Sequence, residues 1–241
     1  MAIKYESLVT LSLAKQIAEN LRAAILDGRL QIDERLPTEE ELAARFSVSR
    51  PTIREALKRL AAQNLVRSRR GPTGGTFITR PTEEELRTTL TNATTLMVTL
   101  GEFNIDAITE ARRELEKLCL KLAIGRRTEE HLELLARELD LQQQPISDEQ
   151  FCASDIRFHR AIVDATANPV LKFNMVTVIE ALQPLMNMIA NRSRDRQVII
   201  GHHRRLLQTL IDQDLSGAED GLDQLLDYLQ QQYLEAQVAT G

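Results

Sequence analysis

Asp155 and His159 are four residues apart, so in a helix both side chains project from the same face. Together with His203 from a later helix, they could form a three-point cluster inside a helical bundle. Nitrogen and oxygen ligands of this kind suit Zn²⁺, Ni²⁺ or Mn²⁺, and they leave coordination positions open for the carboxylate of a small molecule. The alternative is a hydrogen-bonded polar pocket that holds no metal.

A second set of chemically active side chains lies within residues 49–70. This stretch holds seven basic residues and one acidic residue. Ser49 can cap a helix there, and Pro51 is tolerated in the first turn of that helix. The residues left pointing outward at its N-terminal end are Arg50, Thr52 and Arg54. Arginine pairs with guanine edges and a helix N-terminus attracts phosphate, so this helix suits the DNA major groove. On these residues alone, a solvated amphipathic helix remains an alternative.

The flanking segments predict a winged helix-turn-helix. Thr38 and Glu41 have the spacing of a capping box, which starts a short helix before the turn at residues 46–48. After the basic helix, residues 65–69 and 76–79 are typical of strands, and the glycine-rich turn 71–75 joins them. The helix over residues 12–26 supports the motif, and a short strand within residues 30–36 could join the hairpin. The residues predicted to face inward from the basic helix are Ile53, Leu57, Leu60 and Ala61.

Residues 35–78 resemble the DNA-binding half of the GntR superfamily of bacterial transcription regulators. The resemblance rests on Arg35-Leu-Pro-Thr-Glu39, Val48-Ser-Arg50, Ile53-Arg-Glu-Ala-Leu57 and the glycine-rich wing. It implies that Arg50 and Arg54 contact bases and backbone. The full set of DNA-binding residues that it implies is Arg35, Ser49, Arg50, Thr52, Arg54, Arg69, Gly71, Gly74 and Gly75. Glu40 departs from the pattern, because the family often has a basic residue there, so a phosphate or base contact at that position is expected to be lost.

Residues 82–241 carry only helical signals. We predict a linker helix over 82–101, followed by helices over roughly 104–124, 128–144, 148–167, 169–190, 192–213 and 216–236. The fold is therefore expected to be mainly α: an N-terminal winged helix-turn-helix over 1–81 and a C-terminal antiparallel helical bundle over 82–241. The second part resembles the ligand-binding FCD domain of the FadR subfamily, on the segments Glu110–Glu116, Asp155–His159 and His203–Ala218.

The FCD resemblance implies an effector site at Arg112, Asp155, His159 and His203. In metal-binding members an aspartate and three histidines hold an ion, and this chain matches all of them but one. The fourth position, 22 residues beyond His203, is Leu225, which cannot coordinate a metal. His202 and Asp227 are the alternative ligands nearby in the sequence, although neither stands at the matching position. Family members that respond to fatty acyl-CoA have a polar pocket without metal. Arg112 could pair with an anionic effector or form a surface ion pair with Glu116.

The charge distribution is uneven along the chain. The net charge is −5, but residues 1–82 have a balance of +5 and residues 83–241 a balance of −10. This asymmetry predicts that the first part faces nucleic acid and the second does not. We find no signal pattern or membrane-spanning run, and the two cysteines, Cys119 and Cys152, have no disulfide or CxxC spacing, so we expect a cytoplasmic protein.

Together these features predict a ligand-responsive regulator. It is expected to bind a palindromic DNA operator as a homodimer, with a small carboxylate effector modulating its DNA affinity. We do not expect an enzyme, since there is no Walker-type or nucleophile-elbow motif. The alternatives are a metal-dependent enzyme that uses Asp155, His159 and His203, and a DNA-binding protein that responds to no effector.

Overall fold

The computed structural model describes residues 12–180 and 195–238. The chain divides into two compact units, Met1–Leu86 and Arg87–Gly241. The described elements of the first unit are α1 (Leu13–Leu26), α2 (Glu39–Phe46), α3 (Arg50–Ala62), β1 (Val66–Arg69) and β2 (Gly75–Ile78). Helix α4 (Glu83–Thr99) begins in the first unit and continues into the second. The second unit then contains α5 (Ile105–Arg126), α6 (Glu129–Gln142), α7 (Asp148–Asp164), α8 (Pro169–Glu180), α9 (Arg196–Asp212) and α10 (Leu215–Val238).

Side-chain caps fix where the first helices begin. At α2 the predicted capping box is confirmed: Glu41 N–H donates to Thr38 Oγ1 at 3.2 Å, and Thr38 N–H donates to Glu41 Oε2 at 2.7 Å. Ser49 accepts from Thr52 N–H and caps α3, with Pro51 in the first turn. The caps satisfy backbone donors that have no partner within the helix, so the sequence alone determines these starts.

The core of the first unit lies between α1, α2 and α3. Ile53, Leu57 and Leu60 are buried as predicted. The prediction was wrong for Ala61, which is exposed, whereas Ala56 is fully buried. The buried positions of α3 therefore follow the spacing i, i+3, i+4, i+7, which keeps one stripe on the core side and leaves the start of the helix open.

The hairpin after α3 pairs β1 and β2 antiparallel, with Val66 opposite Ile78 and Arg69 opposite Gly75. The short strand predicted within residues 30–36 is present only as a single bridge between Arg35 and Phe77. Leu36 N–H donates to the carbonyl of Thr76, and Asp33 has a φ of +66°. The left-handed backbone at Asp33 interrupts the extended run, so the segment touches the hairpin without adding a full strand to it.

The second unit is helical throughout its described part, in agreement with the prediction. Helix α8 is described as far as Glu180, so the predicted continuation to residue 190 and the predicted break at Asn191 lie outside the described residues. The core is built mainly from large apolar side chains of α5, α7, α9 and α10; fully or nearly fully buried members include Leu120, Phe151, Phe158, Ile199, Leu206, Leu222 and Leu225. Within the described residues, none of the helices has the length and apolar character needed to cross a bilayer.

Both cysteines of the second unit are buried, as predicted, and neither is in a disulfide. Burial, together with the negative charge of Glu116, raises the pKa of the Cys119 thiol to about 12. The thiolate is the reactive form of cysteine, so this side chain acts as a small apolar group in the core.

Two glycines shape the tip of the hairpin in different ways. A Cβ on Gly74 would lie 2.6 Å from the Arg69 carbonyl oxygen and 2.8 Å from that of Gly71. Gly75 has a φ of +154°, and a Cβ there would lie 2.6 Å from Nε of Arg35. The requirement for a backbone conformation that favours glycine therefore applies at Gly75. At Gly74 the requirement is space beside the backbone.

We predict that Gly74→Ala loosens the hairpin, because backbone carbonyls cannot yield to a methyl group as a flexible side chain can. Amide hydrogen exchange of residues 66–78 should become faster, with a cost of about 1–3 kcal/mol. Gly28→Ala is the control: its Cβ would meet no atom within 4 Å, and its φ of +72° makes its strain local to the end of α1. Unchanged exchange of the hairpin in Gly74→Ala would show that the turn is not packed as described.

Candidate functional site

The structure brings Asp155, His159 and His203 together inside the second unit. Helix α7 carries the first two and α9 carries the third, and one ligand atom of each lies within 4.8 Å of the others. All three side chains are buried. The four-residue spacing within α7 thus has the predicted effect, and the packing of α9 against the same core supplies the third member.

His159 is oriented by a buried carboxylate. Its Nδ1 lies 2.7 Å from Glu116 Oε2. Burial alone would raise the pKa of Glu116, but the charges of Arg112 and His159 and their hydrogen bonds lower it to about 2. An ionised carboxylate only accepts hydrogen bonds, so Nδ1 of His159 is the donor. Nε2 is then the ring nitrogen available to a ligand, and it is buried without a hydrogen-bond partner among the described residues.

His203 is oriented by an amide. Its Nδ1 lies 2.7 Å from Gln142 Oε1, while Nε2 of Gln142 donates to Ser154 Oγ at 3.2 Å. An amide oxygen only accepts, so Nδ1 of His203 donates and Nε2 is left to face Asp155 Oδ1 at 3.2 Å. The ring of Phe158 stacks on the imidazole with centroids 4.2 Å apart. Hydrogen bond and stacking together fix the plane of this ring.

The amide that orients His203 is itself held from the protein surface. Ser154 donates to Glu138 Oε2 at 2.7 Å, and Arg157 binds both carboxylate oxygens of Glu138, at 2.6 and 2.8 Å. A continuous hydrogen-bonded chain therefore runs from an exposed ion pair to the buried imidazole. Such outer-shell groups set the orientation of the atoms that bind a metal.

Arg112 forms a buried ion pair rather than a surface one. Its Nε lies 2.5 Å from Glu116 Oε1, and both side chains are almost completely buried. The expected surface pairing is thus wrong in its location, because α5 turns this face toward the bundle core. Arg112 also lines a small cavity of about 20 Å³ together with Thr109, Leu226 and Tyr233.

Leu225 is fully buried on α10 and offers no ligand atom. Neither suggested substitute joins the cluster in the described part of the chain. Asp227 is bound by Arg113 at 2.5 Å and is mostly exposed. His202 faces Tyr228, with ring centroids 6.3 Å apart, and burial and the charge of Arg205 lower its pKa. His131 lies at the start of α6, where its Nδ1 accepts from Thr128 N–H.

Sequence reasoning missed Gln142 and Ser154, and it identified Glu116 only as a partner of Arg112. A glutamine within an amphipathic helix carries no signal of its own. The i, i+4 spacing of Arg112 and Glu116 was the one local sign of this network.

The second candidate surface is the start of α3. The hydroxyl groups of Ser49 and Thr52 are hydrogen-bonded to each other there, with their oxygens 2.8 Å apart. Arg50 is largely exposed, and its Nη1 lies 3.7 Å from Glu40 Oε2. Arg54 is also exposed, but two of its nitrogens bind Glu39, Nε at 3.2 Å and Nη2 at 2.8 Å. Both arginines point outward, as predicted, but α2 lies close enough for Glu39 to hold the guanidinium of Arg54.

The hairpin supplies the remaining residues predicted for this surface. The Arg35 side chain passes over the backbone at Gly75, where a Cβ would meet its Nε. The guanidinium of Arg69 lies over the Phe77 ring, 4.8 Å from its centroid. Gly71, with a φ of +109°, and Gly74 form the tip. Arg35 and Arg69 are thus both positioned by contacts with β2, at Gly75 and Phe77 respectively.

Comparison with known proteins agrees with this arrangement. Residues 13–78 match the family of bacterial regulatory proteins called gntR, and residues 107–228 match the FCD domain. The chain belongs to the GntR family of transcription regulators. The match to the FCD domain agrees with the resemblance found in the sequence of the second unit.

Similar proteins include a regulatory protein of the L-lactate dehydrogenase operon of Escherichia coli K12, 32% identical over 87% of this chain and 80% of that protein. The transcriptional repressor NanR of Klebsiella aerogenes is 27% identical over 85% of this chain and 76% of the repressor. Among solved structures, a GntR protein of Streptococcus agalactiae has a TM-score of 0.55 at 23% identity, covering 89% of this chain and 97% of that chain. The structural likeness supports the fold.

We predict that Glu116→Gln destabilises the second unit by about 3 kcal/mol, because it leaves the buried Arg112 guanidinium without its anion. Urea unfolding followed by circular dichroism, with hydrogen exchange of α5 peptides, measures the loss. Asp227→Asn is the matched control: it removes an exposed carboxylate from Arg113, which keeps Asp223 at 2.8 Å. It should change stability little. Equal effects of the two substitutions would contradict the buried ion pair.

Proposed function

We propose that this GntR-family regulator binds a palindromic operator as a homodimer and responds to a small carboxylate held at a divalent metal in its FCD domain. Residues 1–81 would bind DNA, and residues 82–241, beginning with the linker helix over 82–101, would bind effector and form the dimer. We infer the effector site from one observation: Asp155, His159 and His203 are buried and lie close together. Since the operator of a bacterial regulator lies in the cytoplasm, we expect the protein there.

The residues present fit a divalent transition metal. Asp155 Oδ1 and Nε2 of both histidines are the donor atoms, and one of them, His159 Nε2, is a buried acceptor without a hydrogen-bond partner in the described residues. Imidazole and carboxylate donors suit Zn²⁺, Ni²⁺ or Mn²⁺. A bound ion would supply a cationic centre for the effector's carboxylate. With Leu225 in place of a fourth ligand, the protein leaves one more coordination position to effector or water.

Several features support regulation over metal-dependent catalysis. Glu116, a carboxylate that contacts the cluster through His159, is ionised and hydrogen-bonded to both Arg112 and His159, so it is a poor general base. The cluster is buried among helices, where a ligand can alter helix packing. A coupling of about 1–3 kcal/mol between effector and operator would then be ordinary for such a protein. Because the Escherichia coli relative is named for an L-lactate dehydrogenase operon, L-lactate and similar hydroxycarboxylates are the first effectors to test.

On the DNA side, α3 would lie in the major groove with Arg50 and Thr52 toward the bases. Arg54, held by Glu39, would fix α2 against α3 and reach the backbone with its remaining nitrogen, Nη1. The hairpin tip, with Gly71, Gly74 and Gly75, would approach the adjacent phosphates together with Arg35 and Arg69.

We predict that Arg50→Ala weakens operator binding by about 1–3 kcal/mol and relaxes the preference for one base, because arginine reads guanine through paired hydrogen bonds. Fluorescence anisotropy over a range of salt concentrations measures both affinity and the salt slope. Arg22→Ala, which removes an exposed arginine of α1 paired with Glu19, is the control for charge alone. If Arg50→Ala and Arg54→Ala both bind operator like the unmodified protein, with folding intact, α3 is not the recognition helix.

We predict one divalent ion per chain, removable by chelator without unfolding, because the apolar core and not the metal stabilises the bundle. Native mass spectrometry and isothermal titration should show binding in the unmodified protein, loss in His159→Ala and retention in the control His131→Ala. Leu225→His should bind more tightly. L-lactate or a related carboxylate should release operator DNA from the metal-loaded protein only.

The outcomes separate the two forms of the site. Metal binding by Leu225→His alone would show a metal site disabled by one substitution, and the pocket would then be a polar one without metal. No response to carboxylates in either form would remove the effector part of the proposal, while operator binding would still stand on its own test.

A further inference from the structure

Two glutamates in the first turn of α2 face two arginines in the first two turns of α3. Glu39 pairs with Arg54, and Glu40 lies beside Arg50. A carboxylate on a surface that meets DNA is unfavourable unless it has a specific partner, because double-stranded DNA carries about one negative charge per 1.7 Å of its axis. Each of the two glutamates therefore requires a specific interaction that explains its position on this surface.

The position of Glu39 is explained by its structural role, because it pairs with Arg54. Both carboxylate oxygens are engaged, at 3.2 and 2.8 Å, and the Glu39 side chain is about two-thirds covered. The hydrogen bond from Arg54 lowers the pKa of Glu39. This geometry ties the start of α2 to α3, and a two-point pair of this kind is the stronger sort of ion pair.

The Glu40–Arg50 pair has no comparable structural role. Its closest approach is 3.7 Å, and the side chains are 82% and 58% exposed. Ion pairs this open contribute little to stability, so both groups can leave each other at small cost. Glu40 and Arg50 therefore stand side by side at the open end of α3 as an acceptor and a donor, each available to another partner.

The partner that suits this acceptor is a base. In the major groove, cytosine presents an N4 amino donor to which glutamate bonds, and guanine presents the two acceptors that arginine reads. We propose that Glu40 is a specificity-determining residue that accepts a hydrogen bond from N4 of a cytosine beside the guanine read by Arg50. The inference rests on the proposed binding of operator DNA through α3.

The distance between the two charged groups limits where that cytosine lies. A separation of 3.7 Å is close to the spacing of about 3.4 Å between successive nucleotides of one strand. Since the two side chains start from neighbouring positions, we expect the cytosine in the same base pair as the guanine or in the next one. A basic residue at position 40 could not make this contact, since cytosine N4 is a donor.

Selection of operator half-sites from random duplexes, followed by sequencing, tests the assignment. The unmodified protein should select a guanine with a cytosine in the same or the adjacent base pair. Glu40→Ala should keep the guanine and lose the discrimination at the cytosine, by about tenfold. Glu40→Gln should shift that position toward adenine, which glutamine reads. Glu19→Ala, an exposed glutamate of α1 in the same unit, removes the same charge and should leave the selected sequence unchanged.

The results distinguish failure of this inference from failure of operator binding itself. If the unmodified protein selects no sequence, the proposed DNA-binding function fails. If it selects a sequence that Glu40→Ala selects with the same discrimination, operator binding stands and the role of Glu40 is wrong. A uniform gain in affinity for all duplexes in Glu40→Ala, with a steeper salt slope and no change of base preference, would equally overturn it, because Glu40 would then act only by repelling phosphate.

Discussion

The buried ion pair between Arg112 and Glu116 is the constraint on which the candidate effector site depends. A guanidinium and a carboxylate removed from water are tolerated only when each is paired and hydrogen-bonded. Glu116 meets this requirement on one oxygen with Arg112 and on the other with His159 Nδ1. The same carboxylate that neutralises the arginine therefore decides which nitrogen of the imidazole is left for a ligand. Gln142 likewise decides which nitrogen of His203 is left for a ligand, but it does so through an uncharged amide.

The DNA-binding unit uses ion pairs in a different way. At the start of α3, Glu39 holds Arg54 through two short hydrogen bonds, whereas Glu40 only stands near Arg50. The first pair is structural and the second is exchangeable, so one arginine fixes the helices and the other remains available to the bases. Exposure and geometry, not residue type, separate these two roles.

Local signals predicted much of this protein, and long-range pairing accounts for what they missed. The capping box at Thr38, the alternation in the hairpin and the breaks between helices all act within a few residues, so the sequence reveals them. Asp155 and His159 could be placed on one face for the same reason. Gln142 meets His203 across 61 positions in the chain, and Arg54 meets Glu39 across 15, and no periodicity encodes such contacts. The expected strand near Leu36 became a bridge because the left-handed residue Asp33 interrupts it.

The proposed metal site requires that hydrogen bonds at Nδ1 leave Nε2 of the buried histidines to bind the ion. Long-range ¹H–¹⁵N spectra of the metal-depleted protein, recorded during addition of Zn²⁺, report each ring nitrogen separately. We expect that Nδ1 of His159 is protonated before and after addition, and that Nε2 is the nitrogen whose resonance shifts with Zn²⁺. A shift at Nδ1 instead, or no response of either His159 nitrogen to Zn²⁺, would contradict it.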